Sequence, residues 1–295
     1  MEKRKNYTTV EKNTLAEIKL SIIVPVYNTP VPFVKECLES IQNSGIRYPY
    51  VVIIVNDGST GPEVTRFLDE SCLPHSIKIN KENSGVLATR NTGLKLAKGK
   101  LILCLDSDDL LLSSINDAVS YLKTHRKSDI LYCDLQFFGD TSYLHKKCEF
   151  SKFQLMYVSN MLTPSSTLFR REIISEVLFN ENLSYSEDRD FFSRAASLGF
   201  AFKHFCKPFC NYRKLYNNQS LSQKNIGMKN EVESFIKAQF DAHREITQEE
   251  VNKYVINNFT AHKKHIAKLL IIIFFPFLYK FWVSRKIYKN NIVID

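Results

Sequence analysis

LILCLDSDD, residues 101–109, changes character halfway. Five apolar residues suit a short strand buried on both faces, whereas three carboxylates in the next four positions cannot share that environment. The strand therefore ends at Leu105 and delivers Asp106, Asp108 and Asp109 to its carboxyl end. Acids this close repel one another, and in a partly buried site they call for a cation. Hard oxygen ligands suit Mn2+ or Mg2+, which bind through one or two carboxylates plus substrate phosphates. Taken alone, the cluster also reads as a solvated helix cap, a position that Asp favours.

Outward from this stretch, apolar runs alternate with helical patterns. LSIIVPV (20–26), YVVIIV (50–55), IKI (77–79) and DILYCD (129–134) read as further strands. Residues 33–43 place Val34, Leu38 and Ile41 on one helical face, and 85–98 and 114–124 read as helices too. Such alternation predicts an α/β fold whose mostly parallel sheet is flanked by helices, with ligands outside the carboxyl ends of the strands. Three strands end in polar clusters: Tyr27-Asn28, Asn56-Asp57-Gly58 and Asp106-Ser107-Asp108-Asp109. If those strands are neighbours, the clusters meet in one cleft. Patterning weakens after residue 135, as in an α+β lobe of the same domain.

The composition is globular, 44% apolar and 24% charged over 295 residues, enough for one large domain with an extension. The net charge of +9 is uneven. Residues 251–295 hold eight Lys or Arg and one acid, Asp295, so the first 250 residues carry only about +2. That is no nucleic-acid surface, and we expect no nucleic acid among the partners. Within the tail, 266–283 reads IAKLLIIIFFPFLYKFWV, whose uninterrupted apolar run, 269–279, is shorter than the roughly 20 residues of a spanning helix. Basic and aromatic residues around it fit helices lying on an anionic membrane surface, or a helix packed on the domain. Seven cysteines without a CxxC pair read as free thiols in a reducing compartment. Residues 1–19 read as a polar leader, without the apolar core of a secretory signal.

Four further positions could carry chemistry. Asp57, in VNDGST, could accept a hydrogen bond from a base or sugar, or simply belong to a turn. Arg90 could pair with the aspartate cluster or with phosphate, or lie on the surface. Glu187-Asp188, in YSEDRDFF, could aim a carboxylate base into the cleft, or favour a helix dipole behind a cap from Ser184 or Ser186.

Together SIIVPVYN (21–28), VNDGST (55–60), NSGVLATRNTGLKLAKG (83–99), LCLDSDD (103–109) and SEDRDFFSRAASLG (186–199) resemble the successive blocks of family 2 glycosyltransferases of the GT-A fold, over about residues 20–222. The resemblance implies a catalytic domain over 20–250, with a nucleotide-sugar half (20–135) and an acceptor half (136–250), and a C-terminal helical tail, 251–295. It implies that Pro25 and Tyr27 hold the nucleotide base and that Asp57 hydrogen-bonds it. Asp106 would contact the ribose, Asp108 would ligate Mn2+ or Mg2+ on the diphosphate, Arg90 would brace the cluster, and Asp188 would be the catalytic base of an inverting transfer. The donor would be a nucleotide-sugar, a UDP-sugar in the commonest case. The acceptor would be a glycan on a lipid-linked O-antigen, capsule or lipooligosaccharide intermediate, reached from the cytoplasm at the inner face of the cell membrane. Two departures stand out: Asn56 where many relatives have Asp, and Leu215, in YRKLYNNQSLS (212–222), where the block often has His. A nucleotidyltransferase would usually carry a Gly-rich loop and Lys after the first strand, where VPVYNTP stands. A binding relative without turnover would not need both Asp108 and Asp188.

Overall fold

The computed structural model describes residues 19–71, 73–157, 162–183 and 186–216. The expected leader, apart from Lys19, and the basic tail from 251 to 295 lie outside the described residues.

A seven-stranded sheet forms the centre. Its strands are β1 (Leu20–Val26), β2 (Tyr50–Asp57), β3 (Ser76–Lys81), β4 (Leu101–Cys104), β6 (Ile130–Cys133), β9 (Thr167–Arg170) and β10 (Phe202–Phe205), in the order β10-β6-β9-β4-β1-β2-β3. The strands lettered by apolar runs in the sequence are all present, so β2, β1 and β4 are neighbours, as the convergence of their polar ends requires. β1 runs parallel to both partners, and Ile23 lies beside Cys104 as Val26 lies beside Asn56. β9 is antiparallel to β4 and β6, an inversion that alternation alone does not predict. With β10, it brings the stretch after residue 135 back into the central sheet.

Alternate residues of these strands face two helical layers. Ile22, Val24, Val52, Ile54, Leu103 and Leu131 pack under α1 (Val31–Asn43), α2 (Pro62–Glu70) and α4 (Ile115–Thr124). Ile23, Ile53, Val55, Ile102 and Tyr132 pack under α3 (Gly85–Leu96) and α6 (Glu187–Ser197). Burial on both faces is what the unbroken apolar runs demand. α2 was not expected, although Pro62 in its first turn and Val64 and Leu68 four residues apart are its signals. Gly93 lets α3 sit close on β1, since a β-carbon there would lie 2.3 Å from the Ile23 side chain.

A smaller sheet joins β5 (Leu110–Leu111), β7 (Leu135–Gly139), β8 (Tyr143–His145) and β11 (Cys210–Lys214) in the order β5-β11-β7-β8. Apart from β5, its strands come from the weakly patterned stretch that starts at residue 135, as does α5 (Lys152–Tyr157), which packs on α6. β5 follows Asp109 directly, so this sheet is stitched to the acidic loop.

Candidate functional site

The loops after β1, β2 and β4 meet. Asn28 adopts a left-handed conformation (φ 49°), and its Oδ1 accepts the Thr60 N–H at 2.8 Å and the Gly61 N–H at 3.2 Å. This ties the end of β1 to the turn after β2 and leaves Tyr27 51% exposed at the mouth, while Pro25 is buried within β1. Asn56 serves the same turn: its Oδ1 accepts the Ser59 N–H at 3.1 Å. On the other side, Thr29 and Ser107 share a hydroxyl hydrogen bond of 2.8 Å, which links the first loop to the acidic one.

Asp57 is only 2% exposed. Its two oxygens accept the N–H groups of Ser84 and Gly85, each at 2.9 Å, and Lys81 ion-pairs with it. The carboxylate thus caps α3 and neutralises a lysine, satisfying the orphan donors and dipole of that helix. Gly58 follows at φ 70°, where a β-carbon would lie 2.7 Å from the Asn83 nitrogen.

Two turns along α3, Arg90 is 5% exposed. Its Nη2 donates to Asp106 Oδ1 at 2.7 Å, and its Nη1 lies 3.8 Å from Glu187 Oε1 at the start of α6. The Phe179 ring lies 5.5 Å below the guanidinium. Arg90 therefore joins the acids after β4 to those that open α6. The Asp106 N–H donates to Ser165 Oγ at 3.0 Å.

Asp108 and Asp109 are less well compensated. Burial, then repulsion from Asp106, pushes the Asp108 carboxyl up to about 6. Burial, Asp108 and Asp106 push Asp109 well above the ordinary range, although its Oδ1 accepts the Arg213 N–H at 2.8 Å. Arg213 is the fixture of this loop. Its Nε donates to the Asp108 carbonyl at 2.7 Å, it pairs with Glu36 of α1, and its guanidinium lies between the rings of Phe33 and Phe138 at 4.2 and 4.4 Å. Beside it on β11, Tyr212 keeps its phenolic proton because of burial and the charges of Asp109, Asp106, Asp108 and Asp188.

At the other wall, Asp188 is partly buried in the first turn of α6. Burial, then Glu187, raises its pKa to about 6, against the pull of Arg90. Ser186 takes the cap position in a left-handed conformation, but its side chain makes no capping bond. The structure thus groups Arg90, Asp106, Asp108 and Asp188 and places Asp57, Pro25 and Tyr27 along the adjoining strand ends. Sequence reading missed Lys81, Ser165, Tyr212 and Arg213. The last two stand in the block YRKLYNNQSLS, in which Leu215 takes the place of a histidine.

The acids after β4 fit a divalent cation. Arg90 pairs with Asp106, and Arg213 only partly offsets the charge of Asp108 and Asp109. Among the described residues no three His, Cys, Asp or Glu are grouped so as to hold a metal ion by themselves.

Comparison with known proteins bears on the family and the fold. The model of glycosyl transferase family 2 matches residues 21–178, more than half of the chain. An uncharacterized glycosyltransferase of Methanocaldococcus jannaschii is 24% identical over 204 residues, covering 66% of this chain and 70% of that protein. The minor teichoic acid biosynthesis protein GgaB of Bacillus subtilis is 30% identical over 181 residues; the match covers 57% of this chain but only 20% of GgaB. Among solved structures, S. aureus TarS 1–349 in complex with UDP-GlcNAc superposes with a TM-score of 0.64 at 19% identity, over 82% of this chain and 73% of that one. A mannosyltransferase from Pyrobaculum calidifontis, in complex with GDP-Man and Mn2+, superposes with a TM-score of 0.55 at 17% identity, over 79% and 66%. The chain belongs to glycosyl transferase family 2 and is a glycosyltransferase of the GT-A fold.

Proposed function

We propose that the cleft moves a sugar from a nucleotide-sugar, a UDP-sugar in our reading, to a hydroxyl of a glycan, with inversion at the anomeric carbon. The observation that carries this reading is Arg90, which pairs with Asp106 on one side and lies against Glu187, next to Asp188, on the other. One buried cation thereby fixes the spacing between the donor acids and a carboxylate whose pKa is close to that of a useful general base.

Half-exposed Tyr27 gives the base a ring to stack on, with Pro25 behind it. Asp57 would reach the base only from its fixed position at the cap of α3. Asp106 would meet the ribose. Asp108 would hold a divalent cation, which would supply positive charge to the departing diphosphate. Asp188 takes the proton of the acceptor hydroxyl as the new glycosidic bond forms, a contribution of roughly 10²–10⁴-fold. A single base opposite the leaving group is what one-step inversion needs.

A lipid-linked surface glycan, built at the inner face of the membrane, remains our reading of the acceptor. The name of GgaB supports a cell-surface polymer. Among the described residues no helix is long and apolar enough to cross a membrane. Membrane contact would fall to the tail, 251–295.

The test is Asp188→Asn, which keeps the shape and removes the proton acceptor. Turnover should fall by about 10² or more with nucleotide affinity nearly intact. Wild-type turnover in this variant, beside a dead Glu187→Gln, would assign the base to the neighbouring residue.

A further inference from the structure

The smaller sheet has two unlike faces. Arg213 and Phe138 lie on one, clamped against α1 as described. The other face carries a row that starts at Tyr212, beside the carboxylates, and runs outward. Phe137 stands edge-on to Tyr212 with ring centres 5.5 Å apart, and stacks on Tyr143 at 4.7 Å. His145 lies 6.4 Å from the Phe137 ring. Lys214 Nζ sits 5.2 Å from the Phe137 ring and 3.5 Å from Tyr143 Oη. Tyr143 is 43% exposed, and β8 is the edge strand.

Cations collect on this row without acids to match. Lys147, just past β8, is fixed through its backbone N–H, which donates to Asp134 Oδ1 at 2.7 Å. Its ammonium has no carboxylate within ion-pair distance among the described residues. Burial lowers its pKa, and Asp188 is among the groups that oppose the fall. Burial, and then Lys147, lower the pKa of His145; Asp134 opposes the fall and Lys214 adds to it. Asp134, the nearby acid, already accepts from His204 Nε2 at 2.7 Å through the same oxygen that holds Lys147. Flat rings offer apolar faces to sugar C–H groups, and unmatched cations await an anion.

We propose that this face, from Tyr212 at the carboxylates to Tyr143 at the sheet edge, is the acceptor subsite and receives a glycan bearing an oxyanion, a phosphodiester or a carboxylate, near the attacked hydroxyl. The proposal rests on the glycosyl-transfer reading above. The basic stretch 251–295 carries the same sign of charge as the face, so complementarity favours the acceptor over the chain's own tail.

Calorimetry on the full-length chain with Mn2+ and UDP tests it, with three probes: a glycerol-phosphate oligomer, an oligoglucuronate and a neutral malto-oligosaccharide. One anionic probe should bind at least about tenfold more tightly than the neutral one and weaken as salt rises. Which anionic probe binds tells phosphodiester from carboxylate. Lys147→Met and Lys214→Met should each weaken that probe by about tenfold, with UDP affinity shifting less than about twofold. Tyr143→Ala should weaken stacking without removing the salt dependence. Lys214 and Tyr143 are partly exposed, so their variants remain informative if Lys147→Met does not fold. Equal binding of the neutral probe, no binding of either anionic probe, or wild-type binding in both lysine variants would overturn the proposal. So would parallel loss of UDP, which would move the lysines to the donor side. Anionic-probe binding by a chain that binds no nucleotide would overturn the transfer reading instead, leaving an anion site on this face.

Discussion

Asp57 ends β2 and Asp108 follows β4, both stand in polar clusters, and both are largely withdrawn from water, yet their surroundings differ. Asp57 meets Lys81 and two backbone N–H groups, a complete set of partners for a buried carboxylate. Asp108 meets Asp106 and Asp109, and its nearest guanidinium, Arg213, spends its Nε on the Asp108 carbonyl oxygen rather than on the carboxylate. A buried acid whose charge is balanced holds the fold together. A buried acid whose charge is left over is a place for a ligand.

The largest effect that can break this comparison is at Asp108. Asp108→Asn should cut transfer on the order of 10³-fold, since it removes the ligand through which charge reaches the diphosphate. Mn2+ binding should be lost with it, and chelator should silence the wild type. Stability should move the other way. The Asp108 carboxyl holds its proton up to about 6 when folded, against 3.8 ordinarily, so ionisation costs the metal-free fold stability above that range. In EDTA at pH 8, Asp108→Asn should be more stable than wild type by about 1–3 kcal/mol, discounted for partial exposure, and the gain should vanish toward pH 3. Urea melts at the two pH values read it. Full activity of the wild type in excess chelator would end the argument for a cation here.

Asp188 belongs with the unbalanced group, and its pH behaviour sharpens the point. Burial and Glu187 hold its proton up to about 6. A base must be ionised to act, so transfer by the wild type should fall about tenfold for each pH unit below 6, and be level from about 7 upward. Rates in single-turnover mode, with donor and acceptor saturating, separate this limb from binding. A limb near 4 would mean that the carboxylate is in contact with water during the reaction.

At Asp57 the expected loss is of stability before activity. Asp57→Ala strands Lys81 and uncaps α3, at a cost of about 2–4 kcal/mol in chemical denaturation. Because α3 carries Arg90, nucleotide affinity should drop several-fold as well, with turnover at saturation falling less than tenfold. A variant as stable as wild type but unable to bind nucleotide would reverse the roles, making Asp57 a ligand residue rather than a cap.

The same contrast explains what could be read from the sequence. The polar clusters that close the strands were legible because the apolar run gives out at LCLDSDD and IIVNDGS, although β2 itself runs on through Asn56 and Asp57. Alternation left open whether β1, β2 and β4 are neighbours, and the sheet order meets that condition. Partners were not legible, because Asp57 meets Lys81 across 24 residues and Asp109 meets Arg213 across 104. The antiparallel β9 was hidden for a related reason: TLFR is four residues long, and its direction depends on the 3-10 turn Pro164–Ser166 that precedes it. In the smaller sheet, rings and lysines lie in short strands with one face exposed, where local pattern says little about which residues share a face.

The smallest expected effect lies at the outer rim of the acidic loop. Arg213 reaches five groups: the Asp109 carboxylate through its own N–H, the Asp108 carbonyl, the rings of Phe33 and Phe138, and Glu36. Asp109 is buried, and Asp108, Phe33 and Phe138 are partly buried, whereas the Glu36 side chain is 50% exposed. Water screens that pair, so Glu36→Gln should change stability by less than about 1 kcal/mol and Mn2+ affinity by less than about threefold. Arg213→Lys is the useful contrast. It keeps the charge but gives up the planar group between two rings and the Nε–H that holds the Asp108 carbonyl, so the loop should lose its shape. Mn2+ affinity, followed by electron paramagnetic resonance with UDP present, should fall about tenfold or more in Arg213→Lys. If Glu36→Gln weakens Mn2+ as much as Arg213→Lys does, charge at the rim rather than the shape of the loop governs the site, and the distinction between balanced and unbalanced carboxylates would have to be redrawn around Glu36.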